Sequence, residues 1–211
     1  MDALRNVEEV ELANMPRITQ CRLPNAFKCV EEVKMENVGR MKELTELRNW
    51  EKKKKVVISC KNDWERIDVN LVVEIVVSDS CCQEGVRVMD LSGCVNLREL
   101  RVGDYCFKET EELRLIGLKE LERVVIGNFS FTKSGYDADK EGMNPNRHFY
   151  LKNCEKLREL MVGCYSFVDY SVCEIENVPS LEVIEIGELN EVSCSFWFAS
   201  LELNSDSERM K

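Results

Sequence analysis

The sequence predicts a mainly β solenoid of short parallel strands, turns and little helix, wound in coils of about 24 residues. Three observations carry that prediction. One apolar pattern begins at Leu91 and returns at Leu115, Leu151 and Ile175, with steps of 24, 36 and 24. Each copy ends in a triplet whose first and third residues are apolar, such as Leu100-Arg101-Val102, followed by a glycine such as Gly103. Gly (10) and Pro (4) are scarce, so the pattern is not that of a flexible low-complexity array.

The first clear repeat, LSGCVNLRELRVGDYCF, places Leu91, Cys94, Leu97, Leu100 and Val102 at its apolar positions, then Gly103 and Phe107. The second carries Leu115, Leu118, Leu121, Val124, Ile126, Gly127 and Phe131 at the same offsets. The third carries Leu151, Cys154, Leu157, Leu160, Val162, Gly163 and Phe167. The fourth carries Ile175, Val178, Leu181, Ile184, Ile186 and Gly187. The 36-residue step is 24 plus 12, and a polar loop at 134–147 absorbs the excess.

The alternation before each Gly suits a strand with one face buried. The three-residue steps before it suit a tight turn. The Gly implies either positive φ or close backbone approach. Leu113-Arg114-Leu115, Phe149-Tyr150-Leu151 and Cys173-Glu174-Ile175 suggest a second short strand on the opposite side.

Weaker copies precede these. Val69, Val72, Ile75 and Val77 lead to Cys81-Cys82. Leu12, Met15, Ile18, Cys21 and Leu23 lead to Phe27, and Met35, Val38, Met41 and Leu44 begin another copy. Residues 45–66 are irregular or off register, and Leu201 and Leu203 open a truncated final copy. The expectation is one array over 1–211, of about seven repeats plus a fragment.

These motifs resemble the leucine-rich repeat superfamily. IGNFSF, VGCYSF and NCEKLREL look most like its BspA-like subgroup. The resemblance implies a leucine-rich-repeat solenoid, α/β by family convention, that recognises protein or glycan on an exposed surface. It implies no catalytic residues. The Asn that the common consensus carries after L-x-L is absent here.

Several of the eleven cysteines fall on repeat offsets. Cys94 and Cys154 share the slot of Leu118 and Val178; Cys106 shares that of Ser130 and Ser166; Cys173 shares that of Leu113 and Phe149. Most of the eleven read as small core residues rather than as a metal or redox site. With no C-x-x-C and a single His148, the chain lacks a zinc-ligand pattern, and no cofactor is expected.

A net charge of −10 disfavours nucleic acid and anionic membranes as partners. No apolar stretch is long enough to span a bilayer. The N-terminus lacks a signal-peptide core, which favours a cytoplasmic setting, with an extracellular surface as the alternative if the N-terminus is incomplete.

The expected function is a non-catalytic protein–protein interaction scaffold working through the strand face. If the phase is right, one outward column runs Val76, Arg101, Val125, Met161, Glu185. Its neighbour runs Glu74, Glu99, Arg123, Glu159, Val183. The partner-binding candidates are Val76, Glu99, Arg101, Arg123, Val125, Glu159, Met161 and Glu185. Val125 and Met161 form an apolar centre rimmed by charge. Two alternatives are a BspA-like cell-surface adhesin, for which the sequon Asn128-Phe129-Ser130 would matter, and a substrate-recruiting fragment of a larger enzyme or ubiquitin-ligase subunit. The protein partner is unspecified, and end-to-end self-association through exposed end coils is a further expectation.

Overall fold

The computed structural model describes residues 9–17, 32–38, 54–133, 142–188 and 193–204. It is mainly β, with parallel strands in sheets and little helix. The chain divides into two compact bodies, residues 1–55 and 56–211, where the sequence reads as one array.

In the first body, strands β1 (Glu9–Ala13) and β2 (Glu32–Glu36) pair in parallel, with Leu12 opposite Met35. Each ends at an asparagine in the left-handed region, Asn14 (φ 56°) and Asn37 (φ 51°), and Asn37 Nδ2 donates to Asn14 Oδ1 at 3.3 Å. Asn tolerates this conformation better than most residues. The remaining apolar positions of these two copies, Ile18 to Phe27 and Met41 to Leu44, lie outside the described residues.

In the second body the strands form two sheets, and from β4 onward the chain steps alternately between them. Strands β3 (Lys55–Ile58), β4 (Glu74–Val77), β6 (Glu99–Val102), β8 (Arg123–Ile126), β10 (Glu159–Val162) and β12 (Val183–Ile186) form one, in that order. Strands β5 (Val88–Asp90), β7 (Glu112–Ile116), β9 (Asn144–Lys152), β11 (Tyr170–Glu176) and β13 (Ser200–Asn204) form the other. The second short strands expected at 113–115, 149–151 and 173–175 are present, with Leu113, Phe149 and Cys173 in register. Of the irregular segment 45–66, residues 54–66 are described; they hold β3 and one helical turn, α1 (Lys61–Trp64).

Alternation places every second residue of each sheet inside. Ile75, Leu100, Val124 and Leu160 are buried in register on one side, and Met89, Leu113, Phe149 and Cys173 on the other. Leu97, Leu121 and Leu157 fill the turns between. Each such side chain contributes roughly 1.5–3 kcal/mol on burial. The cysteines at repeat offsets belong to the same core: Cys94, Cys106, Cys154 and Cys173 are at most 1% exposed. Burial pushes the thiols of Cys94, Cys106 and Cys154 up to about 11 and that of Cys173 to about 12, the reverse of what a nucleophilic thiolate requires.

The glycines that close β6, β8 and β10 work through close approach, whereas Gly187 after β12 has φ 73°. A Cβ on Gly103, Gly127 or Gly163 would lie 2.8, 2.6 or 2.6 Å from backbone atoms of the preceding repeat. Positive φ falls instead on the residues after these three: Tyr105 and Phe107, Phe129 and Phe131, Tyr165 and Phe167, all between 54° and 57°. A left-handed conformation costs an L-residue roughly 1–2 kcal/mol. Two gains offset it. The amides turn toward neighbouring repeats, Phe129 N–H to Cys164 O (2.9 Å) and Phe131 N–H to Cys106 O (2.8 Å). The rings stack in two columns, the inner one Phe107, Phe131, Phe167 and Phe196 at 4.7–5.0 Å, the outer one Tyr105, Phe129 and Tyr165 at 4.9–5.0 Å. Each aromatic pair adds roughly 0.5–1.5 kcal/mol beyond burial. Trp64 of α1 meets Phe107 edge-on at 6.1 Å, at the end of the column where Cys82 takes the Phe slot.

Two polar ladders run beside the rings. Asp79, Asp104 and Asn128 each accept, through Oδ1, the N–H of the equivalent residue in the next repeat (Asp104, Asn128 and Cys164) at 2.7–2.9 Å. Ser130, Ser166 and Ser195 each donate to a glycine carbonyl (Gly103, Gly127, Gly163) at 2.7–2.8 Å and accept an amide (Cys106, Ser130, Ser166) at 3.0–3.2 Å. Ser130→Ala leaves the buried Cys106 N–H and Gly103 O without that hydroxyl, and the expected cost is about 2 kcal/mol in urea unfolding. Ser130→Cys should cost less, because Cys106 in the same slot still donates through Sγ to Ser78 O at 3.1 Å. Equal losses for the two variants would remove the ladder from this account.

Candidate binding face

Strand pairing puts the two expected columns on the page. Val76 is opposite Arg101, Arg101 opposite Val125, Val125 opposite Met161 and Met161 opposite Glu185. In the neighbouring column Glu74 meets Glu99, then Arg123, Glu159 and Val183. Both lie on the outward face of the six-stranded sheet, because the intervening residues, such as Leu100, Val124 and Leu160, point inward. Arg101 and Glu185 are exposed; Val76, Glu99, Arg123, Val125, Glu159 and Met161 are half-buried by their neighbours.

The charges on this face are largely paired with one another. Arg101 Nε lies 2.7 Å from Glu99 Oε1, and this carboxylate holds the guanidinium above its ordinary pKa. Arg123 bridges two strands, 2.8 Å from Glu159 and 3.7 Å from Glu99. Its Nε approaches Glu159 at an angle too poor for a hydrogen bond, so that contact is an ion pair only. Arg123 also donates to Met161 Sδ at 3.6 Å, which fixes the thioether beside Val125. The face therefore presents a small apolar centre, Val125 and Met161, within a rim of charges. Exposed pairs of this kind are worth roughly 0–1 kcal/mol each, so they shape the face more than they stabilise it.

The outward face of the five-stranded sheet differs. Its central column runs Arg114, Tyr150, Glu174 and Glu202. Arg114 pairs with Glu112 and Asp90, and Lys152 pairs with Glu174 and Glu176. Apart from the Tyr150 ring, with Lys152 Nζ 5.5 Å from its centre, that column is charged.

No protein-family model, curated protein or solved structure matches this chain.

The expected loop at 134–147 requires correction at its far end. Residues 134–141 lie outside the described residues, but β9 begins at Asn144. Arg147 is strand and fully buried, on the same inward face as Phe149 and Leu151. Its guanidinium donates to Asp169 Oδ1 at 3.0 Å, to Phe131 O at 3.3 Å and to Lys108 O, and it lies 5.6 Å from the Tyr170 ring centre. Thr132 donates to the same Asp169 oxygen at 3.1 Å. Sequence reasoning missed this group because Arg and Asp read as surface residues. The available signal was alternation, since Arg147, Phe149 and Leu151 are two apart.

His148 and Tyr150 form a local pair, Nδ1 to Oη at 3.0 Å, with Nε2 2.9 Å from Pro145 O. In the sequon, Ser130 is fully buried and the Asn128 side-chain oxygen is engaged in its ladder. Among the described residues, no cluster of three or more His, Cys, Asp or Glu is placed to hold a metal ion, and no helix is long and apolar enough to cross a membrane.

Proposed function

We propose that the chain is a leucine-rich-repeat solenoid of BspA-like type that serves as a non-catalytic scaffold, binding a protein partner through the outward face of the six-stranded sheet. The observation that carries this reading is the register of Val125 against Met161, with Arg101, Arg123, Glu99 and Glu159 paired around them. Supporting the solenoid reading are the alternate passage of the chain between two parallel sheets and the ladders that join equivalent residues of successive repeats. Desolvating two apolar side chains inside a ring of mutually satisfied charges is favourable, whereas covering unpaired charges is not.

The test is the double substitution Val125→Glu and Met161→Glu. Two carboxylates then stand directly opposite one another beside Glu159 and Glu185. Partners recovered from native lysate by the unsubstituted chain should be lost, with far-UV circular dichroism nearly unchanged and the chain still folded, though the facing carboxylates lower the urea midpoint somewhat. Retention of those partners by the folded double variant would reject this face.

A further inference from the structure

The β12/β13 end of the second body carries core columns out into solvent. Ile184 and Ile186 stand in register with Leu160 and Val162, which are 1% and 3% exposed, yet they are themselves 45% and 37% exposed. Leu201 and Leu203 stand in register with Cys173 and Ile175, again 1% and 3% exposed, and are 57% and 54% exposed. β12 and β13 are the last strands of their respective sheets. This end therefore offers two strand edges and, with them, apolar side chains that no further strand covers among the described residues. Strand edges with apolar flanks are templates for an added strand.

Charge selects what can be added. Residues 178–204 include Glu182, Glu185, Glu188, Glu191 and Glu202 and contain no Lys or Arg. The preceding repeats differ, answering their acids with Arg101, Arg114, Arg123, Lys152 and Lys156. Two copies meeting through this end would bring the four described glutamates, Glu182, Glu185, Glu188 and Glu202, against the same four, and like charges facing across strands are destabilising. An extended segment in which Val, Ile or Leu alternates with Lys or Arg satisfies the backbone edge, the apolar columns and the glutamates together.

We propose that the β12/β13 end is a docking site for a basic, apolar-alternating segment of a partner protein, taken up as an added parallel or antiparallel strand. Glu185 also rims the Val125/Met161 face, opposite Met161, but the strand edges and the Ile184, Ile186, Leu201 and Leu203 columns that carry this proposal do not involve Val125 or Met161, so failure of the Val125→Glu/Met161→Glu test and failure of peptide docking are distinguishable.

The experiment titrates the full chain calorimetrically with three blocked nine-residue peptides: alternating Val and Lys, alternating Val and Glu, and the Val–Lys peptide with Pro at two central positions. The expected result is binding of the Val–Lys peptide at least tenfold tighter than either other peptide. Amide exchange should slow at 183–186 and 200–204 on binding. The exposed-site variant Glu185→Lys/Glu202→Lys should shift preference toward the Val–Glu peptide. The proposal is overturned by equal binding of the Lys and Glu peptides, or by Lys-peptide binding that leaves those amides unprotected and is indifferent to the double charge reversal. It is also overturned if protection at 183–186 precedes peptide addition and grows with protein concentration, which makes the occupant a second copy. The same holds if that protection disappears on removing 205–211, which makes the occupant the chain's own terminus.

Discussion

Gly163→Ala should lower the stability of the 56–211 body by about 3 kcal/mol, a large loss for one methyl group. A Cβ at this position would sit 2.6 Å from Gly127 C and 2.7 Å from Asn128 N, and backbone of the adjoining repeat cannot rotate away as a side chain would. The Asn128 Oδ1 to Cys164 N–H bond and the Ser166 Oγ to Gly127 O bond lie beside the contact, so spreading the two repeats weakens both. Gly117→Ala is the matched comparison. Gly117 has φ +71° and nothing within 4 Å of its missing Cβ, so only conformational strain is charged, about 1 kcal/mol. Gly117→Asn should cost less again, because Asn153 and Asn177 occupy the corresponding turns at φ 55° and 52°. Urea denaturation of the three variants ranks them; a Gly163→Ala loss no larger than that of Gly117→Ala would contradict the close-approach account.

Arg147→Met should cost roughly 3–5 kcal/mol, because it leaves Asp169 buried and charged with only Thr132 as a side-chain donor. Asp169→Leu should be comparably damaging from the other side, stranding a fully buried guanidinium. The double variant Arg147→Met/Asp169→Leu should be clearly more stable than the sum of the single losses, since no uncompensated charge remains. It should not recover fully, because Phe131 O and Lys108 O lose their donor, at roughly 1–3 kcal/mol per buried group. Strict additivity in this double-mutant cycle would mean that the ion pair is not the organising contact of the inserted repeat.

Much of this architecture is legible in the chain because its signals are periodic. The strand phase read from Leu100, Val124 and Leu160 puts Arg101, Val125 and Met161 outside, and pairing agrees residue for residue. The second sheet is legible for the same reason at Leu113, Phe149 and Cys173. What escaped the reading depends on conformation or on exceptions to polarity. A positive φ on Tyr105 or Phe131 leaves no compositional trace, as aromatic residues do not announce the left-handed region. The charge of Arg147 points to solvent, whereas its spacing from Phe149 and Leu151 points inside, and spacing wins. Asparagine is absent after the L-x-L triplet, and Asn14, Asn37, Asn153 and Asn177 instead follow β1, β2, β9 and β11, which they end at positive φ. Phe196 continues the inner ring column, but the step from Phe167 is 29 residues, and a search at 24 passes over it.

The serine ladder joins residues 24, 36 and 29 positions apart along the chain (Cys106 to Ser130, Ser130 to Ser166, Ser166 to Ser195), with hydrogen bonds of 3.1, 3.0 and 3.2 Å. Contour length varies by half while the bond hardly changes. A residue's address in this molecule is thus its slot, not its number: the extra length enters between Phe131 and Phe149 in one step and between Gly187 and Ser195 in the other. Since the Ser130–Ser166 rung already tolerates twelve more residues than the Cys106–Ser130 rung, foreign sequence inserted between Lys133 and Gly142 is expected to leave it intact, which offers a port for a tag, a cleavage site or a grafted recognition loop.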